Sequence, residues 1–389
     1  MILPENKSIP STRLWLAVAA AFLANSILFG TWAARLPAIK QSFGLSHDAL
    51  GLLLLLMAAG AITGFPIAGK LADRHGGARI SRVLWLLMVL SMLGLSLAPT
   101  VWTLSIAIVC FGLTGGGMDV AMNVWATEAE ETSGKIWMPS FHAIWSLGSV
   151  VGALSGLIVI PMGWGHGTHF AIIALVAAPL ALWGMNISWA FTPQPAEKTP
   201  FLPILRGKLL LVGFFTLCAT LGEGAIADWS ALFLIEVTEA SESRATIGLA
   251  AFATAMVIMR LSGAIVIGRL GPLYAGFVSA GFALVGAVIV AVATTEMLAI
   301  TGFVALGFGY ALAMPLAMAR AGASRSMPKA MAVAGVAVFA YGGILLGPPL
   351  IGFVAEATSL HSALLILLGL AAIMILTAPA LRPPKGGAD

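Results

Sequence analysis

Six titratable side chains stand inside long apolar stretches of this chain: Arg35, Asp119, His142, Glu223, Asp228 and Arg260. A charge in such surroundings is costly, so each must be paired, neutralised by a proton, or turned toward a polar cavity. Asp119 is the acid with most to explain. Gly112, Gly116, Asp119 and Asn123 recur at i, i+4, i+7 and i+11, one stripe of a helix. Small residues, an acid and an amide on one stripe either pack against another helix or line a cavity. Burial favours the neutral form of a carboxyl, and no Lys or Arg shares the stretch. Asp119 is therefore read as a proton carrier, with a structural hydrogen bond to a neighbouring helix as the alternative.

The other charges suggest pairs. Glu223, a second proton-coupling candidate, and Arg260 lie at similar depth on successive stretches, where pairing is cheaper than isolation. Five residues separate Glu223 from Asp228, about 140° of helix, so the two acids cannot face one point unless a glycine bends the chain. Arg35 and Asp228 sit at similar outer depths in opposite halves. A bridge between them would close an outer mouth; the alternative is that Arg35 snorkels to the interface.

Around these charges are groups suited to a hydroxylated solute. Asn25, Phe29 and Trp32 share a face, and Trp229 stands at the matching depth in the second half, with Tyr310 and Tyr341 further on. His142, Trp145, Ser146 and Ser149 share another face, while Gly148, Gly152 and Gly156 form a stripe about 120° away that suits close helix contact. A Trp ring can stack on the apolar face of a sugar, and Asn123 or His142 can hydrogen-bond its hydroxyls. Each of these residues could instead serve helix packing.

The elements that must position these residues are membrane helices. The chain of 389 residues is 60% hydrophobic and 9% charged, with a mean hydropathy of +1.01. Apolar runs of bilayer length recur throughout and do not alternate as barrel strands would. Twelve spans are expected, near 12–38, 47–69, 81–98, 101–125, 138–160, 168–191, 209–235, 246–268, 273–293, 296–318, 330–353 and 361–381. The fold class is an all-α polytopic membrane protein. A Pro- and charge-rich segment, 192–208, divides it into an N-terminal six-helix bundle, 1–191, and a C-terminal one, 209–389. With both termini in the cytoplasm, all of the twenty Lys and Arg fall on the inner side except Lys40, Arg244, Arg35 and Arg260. Lys7, Lys198 and Arg325 contribute to that bias, which also accounts for the net charge of +4 without invoking nucleic acid. Cys110 and Cys218 both lie in apolar runs and imply no disulfide framework.

The halves echo one another. GKLADRHG from Gly69 ends the second span and GRLG from Gly268 ends the eighth; Gly148 and Gly152 in the fifth match Gly343 and Gly347 in the eleventh. The loop from Gly69 to Arg79 resembles the signature of the major facilitator superfamily, although Gly77 and Ala78 stand where that family usually has a basic residue. The stretches GTWAARLP from Gly30, GGGMDVAMNVWATEAE from Gly115 and GEGAIADWSALFL from Gly222 resemble the fucose-permease-like group with its MosC- and YbjJ-type members. The resemblance implies two pseudo-symmetric bundles, alternating access, a sugar-like solute and often proton coupling. It also implies a conformational latch at Gly69, Asp73, Arg74 and Gly76, a loop that could otherwise be a simple positive anchor.

The expectation is a monomeric secondary transporter of the bacterial inner membrane that moves a small polar solute with protons. No phosphate-binding Gly-x-x-x-x-Gly-Lys loop, metal-ligand cluster or nucleophile–base set appears, so no ATP hydrolysis, metal, cofactor or enzymatic activity is expected. Efflux of drugs or metabolites and solute sensing without transport are the alternatives. Gly343-x-x-x-Gly347-Pro348 resembles an antiporter element but lies in the second half.

Overall fold

The computed structural model describes residues 9–189, 204–324 and 327–383. Most of the segment 192–208, with Lys7, Lys198 and Arg325, lies outside the described residues. The helices are α1 (Ser11–Ala34), α2 (Leu36–Ser42), α3 (His47–His75), α4 (Gly77–Ser96), α5 (Val101–Ser133), α6 (Met138–Val159) and α7 (His166–Gly184), then α8 (Gly207–Thr238), α9 (Glu242–Ala291), α10 (Glu296–Tyr310), α11 (Ala313–Gly322), α12 (Lys329–Ala357), α13 (Leu360–Leu364) and α14 (Ile366–Thr377). Among the described residues, eleven helical stretches are long and apolar enough to cross a membrane. One of them, α9, is 50 residues long and contains a non-helical residue, Gly271. It is two spans joined at a corner, which makes twelve.

The breaks have local causes. The first span ends earlier than hydropathy suggests because Pro37 has no N–H to offer the carbonyl four residues back; the helix stops at Ala34, and α2 starts after Arg35. α5 runs past its apolar stretch to Ser133 and stops at Gly134, whose φ of 66° is the left-handed conformation that ends many helices. The corner between the second and third spans is Gly76, at φ 84° and ψ 144°. The corner between the eighth and ninth is Gly271, at φ 76° and ψ 163°, followed by Pro272, which favours an extended residue before it. The last glycines of the two matched loop sequences thus take the same unusual conformation.

The acidic tail of α5 is put to use at these corners. Glu128 accepts the backbone N–H of Gly77 at 3.1 Å, and its other oxygen accepts the Trp189 indole at 2.7 Å. Glu130 accepts the N–H groups of Trp137 and, at 2.7 Å, Met138. α4 and α6 both start without a side-chain cap of their own. Two carboxylates from one neighbouring helix therefore meet the free donors and positive dipole ends of two others.

The chain forms two compact units: Met1–Leu45 with Leu53–Ala196, and Ser46–Leu52 with Glu197–Asp389. In the first, α1 and α6 touch backbone to backbone. A Cβ on Gly30 would meet the Ser149 backbone, and one on Gly152 would sit 2.7 Å from the Thr31 nitrogen. α5 lies as close to α3: a Cβ on Gly116 would be 2.8 Å from the Ala61 methyl. In the second unit, α8 and α12 repeat the α1–α6 arrangement. Added Cβ atoms on Gly343 and Gly347 would meet Leu221, and one on Gly224 would be 3.2 Å from Pro348. Lipid supplies no hydrophobic drive between helices, so such contacts act through dispersion at short range. Large apolar side chains such as Leu90, Trp102, Leu180 and Leu261 are left exposed, as a lipid-facing surface requires.

Side chains other than glycine are all but excluded from the backbone conformation at Gly76 and Gly271, and forcing one in costs about 1–3 kcal/mol. Gly76→Ala and Gly271→Ala are each expected to lower the thermal midpoint of the detergent-purified protein, whereas Gly165→Ala, at φ −61° with open space around an added Cβ, is the mild control. Unchanged midpoints for both corner variants would show that the corners carry no such constraint.

Candidate functional site

In the first unit the polar residues converge on Asn25. Its amide N–H donates to the Gly115 carbonyl at 3.3 Å and its oxygen accepts the Trp145 indole N–H at 2.9 Å. One buried amide, 1% exposed, thus ties α1 to α5 and α6. Phe29 lies tilted against Phe111, with ring centroids 5.1 Å apart, and presses on Gly115, where a Cβ would lie 2.7 Å from its ring. Trp32 is buried between Phe111 and Phe170, at 6.0 and 6.1 Å, and its indole N–H has no partner among the described residues.

One turn of α5 separates Asp119 from Asn123, and the turn brings them together. The Asn123 amide donates to the Asp119 carbonyl at 2.8 Å and to its carboxylate at 3.3 Å. Both residues are partly exposed, while Gly112 and Gly116, on the same stripe, are closed against α3. The stripe is therefore divided: its glycine end packs and its polar end stays open. On α6, His142 is exposed and sets its edge on Phe22 at 5.7 Å. Ser146 and Ser149 are buried instead, with the Ser146 hydroxyl donating to the His142 carbonyl and Ser149 held against Gly30. The polar face read from the sequence narrows to His142 and Trp145, because the α1 contact is wider than the glycine stripe alone.

Arg35 is 2% exposed and donates to the Trp164 carbonyl at 2.9 Å. It belongs to the first unit and Asp228 to the second. In the loop after α3, Asp73 and Arg74 are exposed, Gly69 is half-buried beside Val120, and Gly76 makes the corner.

In the second unit Glu223 and Arg260 meet, with 3.3 Å between a carboxylate oxygen and a guanidinium nitrogen; their side chains are 15% and 16% exposed. Successive antiparallel helices place equal depths side by side, which is the reason α8 and α9 can form this pair. Tyr310 is buried with its hydroxyl against Gly222, and that hydroxyl has no partner among the described residues. Asp228 is buried and Tyr341 is half-buried. Trp229 is fully buried; its indole donates to the Pro348 carbonyl at 2.9 Å and its ring stacks on His47 at 6.0 Å. His47, Glu236 and Glu356, which meet at this point, do not stand out in the sequence. They sit at the ends of apolar stretches, where charged residues are ordinary.

A family model described as the Major Facilitator Superfamily matches residues 14–330. The transporter y4wD of Sinorhizobium fredii is 39% identical over 95% of this chain and 98% of its own length. The membrane protein MosC of Rhizobium meliloti is 30% identical over 92% of this chain and 88% of its own. Among solved structures, a mutant of the nucleoside transporter NupG has a TM-score of 0.78 at 12% identity, covering 95% of this chain and 99% of that one. A variant of the E. coli fucose:proton symporter FucP has a TM-score of 0.64 at 16% identity, covering 95% and 98%. These likenesses show the fold: twelve transmembrane helices in two six-helix bundles.

The Glu223–Arg260 contact can be tested directly. Removing one member of a buried pair strands the other, at about 3–5 kcal/mol, whereas replacing both is nearly neutral. Arg260→Met is expected to lower the thermal midpoint more than Glu223→Gln/Arg260→Met. A double variant no more stable than the single one would show that the two side chains are not energetically coupled.

Proposed function

The chain belongs to the Major Facilitator Superfamily, and we propose that this transporter moves a small, hydroxylated, sugar-like solute together with protons. The observation that carries the proton part is the Asp119–Asn123 pair on α5. The carboxyl lies on a helix without Lys or Arg, and both side chains are partly open. The Asn123 amide can donate to the carboxylate, and it is free to turn to solute when the carboxyl takes a proton. A protonated Asp119 can cross the low-dielectric interior that an ionised one cannot. Glu223, held by Arg260, is the second proton-coupling group in this reading.

The solute class is supported by the kinds of group available and by the neighbours. Asn123, His142 and Trp145 in the first unit and Tyr341 in the second supply rings and hydrogen-bonding groups that are at least partly open, whereas Asn25, Trp32, Trp229 and Tyr310 are buried. That set suits sugar hydroxyls. The FucP and NupG structures belong to proteins named for fucose with protons and for nucleosides, and each solute contains a hydroxylated ring. In the same reading, bundles 1–191 and 209–389 exchange access through the joining segment 192–208. The loop bearing Gly69, Asp73, Arg74 and Gly76 serves as the inner latch. The protein works as a monomer in a bacterial inner membrane, with both termini in the cytoplasm.

A thermal-shift screen of the purified protein against sugars, polyols and inositol derivatives supplies the solute for the decisive assay. In proteoliposomes, Asp119→Asn is then expected to abolish accumulation driven by a pH gradient while leaving solute exchange within about two-fold of the parent. Accumulation that survives the substitution removes Asp119 from the coupling. Loss of exchange as well assigns it to solute binding instead.

A further inference from the structure

The start of α3 is fastened to α8 and α12 by three side chains. His47 places Nε2 2.8 Å from a carboxylate oxygen of Glu236 on α8, and Nδ1 3.5 Å from Oε2 of Glu356 on α12. That same Glu356 oxygen accepts the backbone N–H of His47 at 2.9 Å. The imidazole lies nearly parallel to the Trp229 ring, with 23° between the planes. One turn along, Gly51 packs on Gly352; a Cβ on Gly352 would be 2.7 Å from the Gly51 Cα and 3.0 Å from the Trp229 ring. The contact is therefore a fitted one, with an aromatic floor, a glycine pair that admits close approach, and a histidine between two acids. The first residues of α3, Ser46–Leu52, belong to the second unit, as Glu236 and Glu356 do.

We propose that His47, Glu236 and Glu356 form a proton-binding site, and that the bound proton fastens the start of α3 onto α8 and α12. The argument is one of donors. A neutral imidazole carries a single N–H and can donate to only one of the two carboxylates that face its ring nitrogens; the imidazolium donates to both. The second bond is charge-assisted, and these are the stronger kind. Asp48, on α3 itself, is a further acid, and its carboxylate is occupied by Ser46 and by the N–H of Ala49 at 2.8 Å. The groups that face the two ring nitrogens are both acids, so the proton gains a partner on each side. With its side chain 20% exposed, the ring remains in reach of solvent protons. A ligand that strengthens one arrangement shifts the population toward it. The clasp tightens when the ring takes a proton and slackens when it loses it.

This inference rests on neither Asp119 nor the identity of the solute, and it is tested without transport. Hydrogen–deuterium exchange of the peptide covering residues 46–52 is followed in detergent-purified protein at about pH 5 and about pH 8, corrected for the intrinsic pH dependence of amide exchange. Protection is expected to be at least about three-fold greater at the lower pH. His47→Gln, which keeps one donor but cannot be protonated, should erase that difference, and Glu356→Gln should shrink it. Equal protection at the two pH values in the parent protein, or an undiminished difference in His47→Gln, overturns the proposal. Should His47→Gln fail to fold, Glu356→Gln decides alone: a full pH difference with one carboxylate removed is incompatible with a site built from two.

Discussion

The structure depends on how closely two helices can approach when lipid gives them no hydrophobic reason to do so. α1 with α6, and α8 with α12, solve this in the same way, with glycines whose absent Cβ atoms let one backbone rest on the other. Everything polar in the interior is arranged around those contacts. Asn25 reaches both Gly115 and Trp145 because α1 is drawn against α6. Trp229 reaches the Pro348 carbonyl because α8 is drawn against α12. Pro349 and Pro348 leave carbonyls on α12 without the usual helical donors, and the Trp229 indole meets one of the groups near that interruption.

Much of this was legible in the sequence, for physical reasons that can be named. A membrane span declares itself by length and hydropathy, so twelve spans could be counted even where the eighth and ninth run together in α9. The stripe Gly148, Gly152 announced a packing face because few other roles suit repeated glycines on a helix. The Glu223–Arg260 pair followed from depth alone, since antiparallel neighbours put equal depths together. Other features left no such trace. That Ser146 and Ser149 turn into the α1 contact depends on the width of that contact. That Glu128 and Glu130 meet the N–H groups of Gly77 and Met138 depends on α5 outrunning its apolar stretch. His47 lies 189 residues from Glu236 and 309 from Glu356, and no periodicity links residues so far apart.

The placement of charge obeys one rule with different outcomes. A carboxylate near a helix start can be satisfied by backbone N–H groups, which are already polarised and in need of an acceptor. Glu128 and Glu130 take that route, and their partners lie in fixed backbone, so they hold α4 and α6 in place. Glu223, deeper in the bundle, finds no free backbone donors in mid-helix and is met by a guanidinium instead. A side chain can move in a way that a helix start cannot. Charges at corners therefore suit rigid joints, and charges at mid-depth suit changes of partner.

Asp119 is held differently on its own helix. It sits in mid-helix, where the backbone donors of α5 are spent on the helix itself, and no cation stands on α5 within reach of it. Its contact on α5 is the neutral amide of Asn123. A neutral donor stabilises a carboxylate less than a guanidinium does and leaves the amide equally able to serve a solute oxygen. The glycines one and two turns away are closed against α3, so the helix cannot rotate to hide the polar end without opening a well-packed contact. The packing of the glycine end of the stripe against α3 thus fixes where its polar end, Asp119 with Asn123, stands.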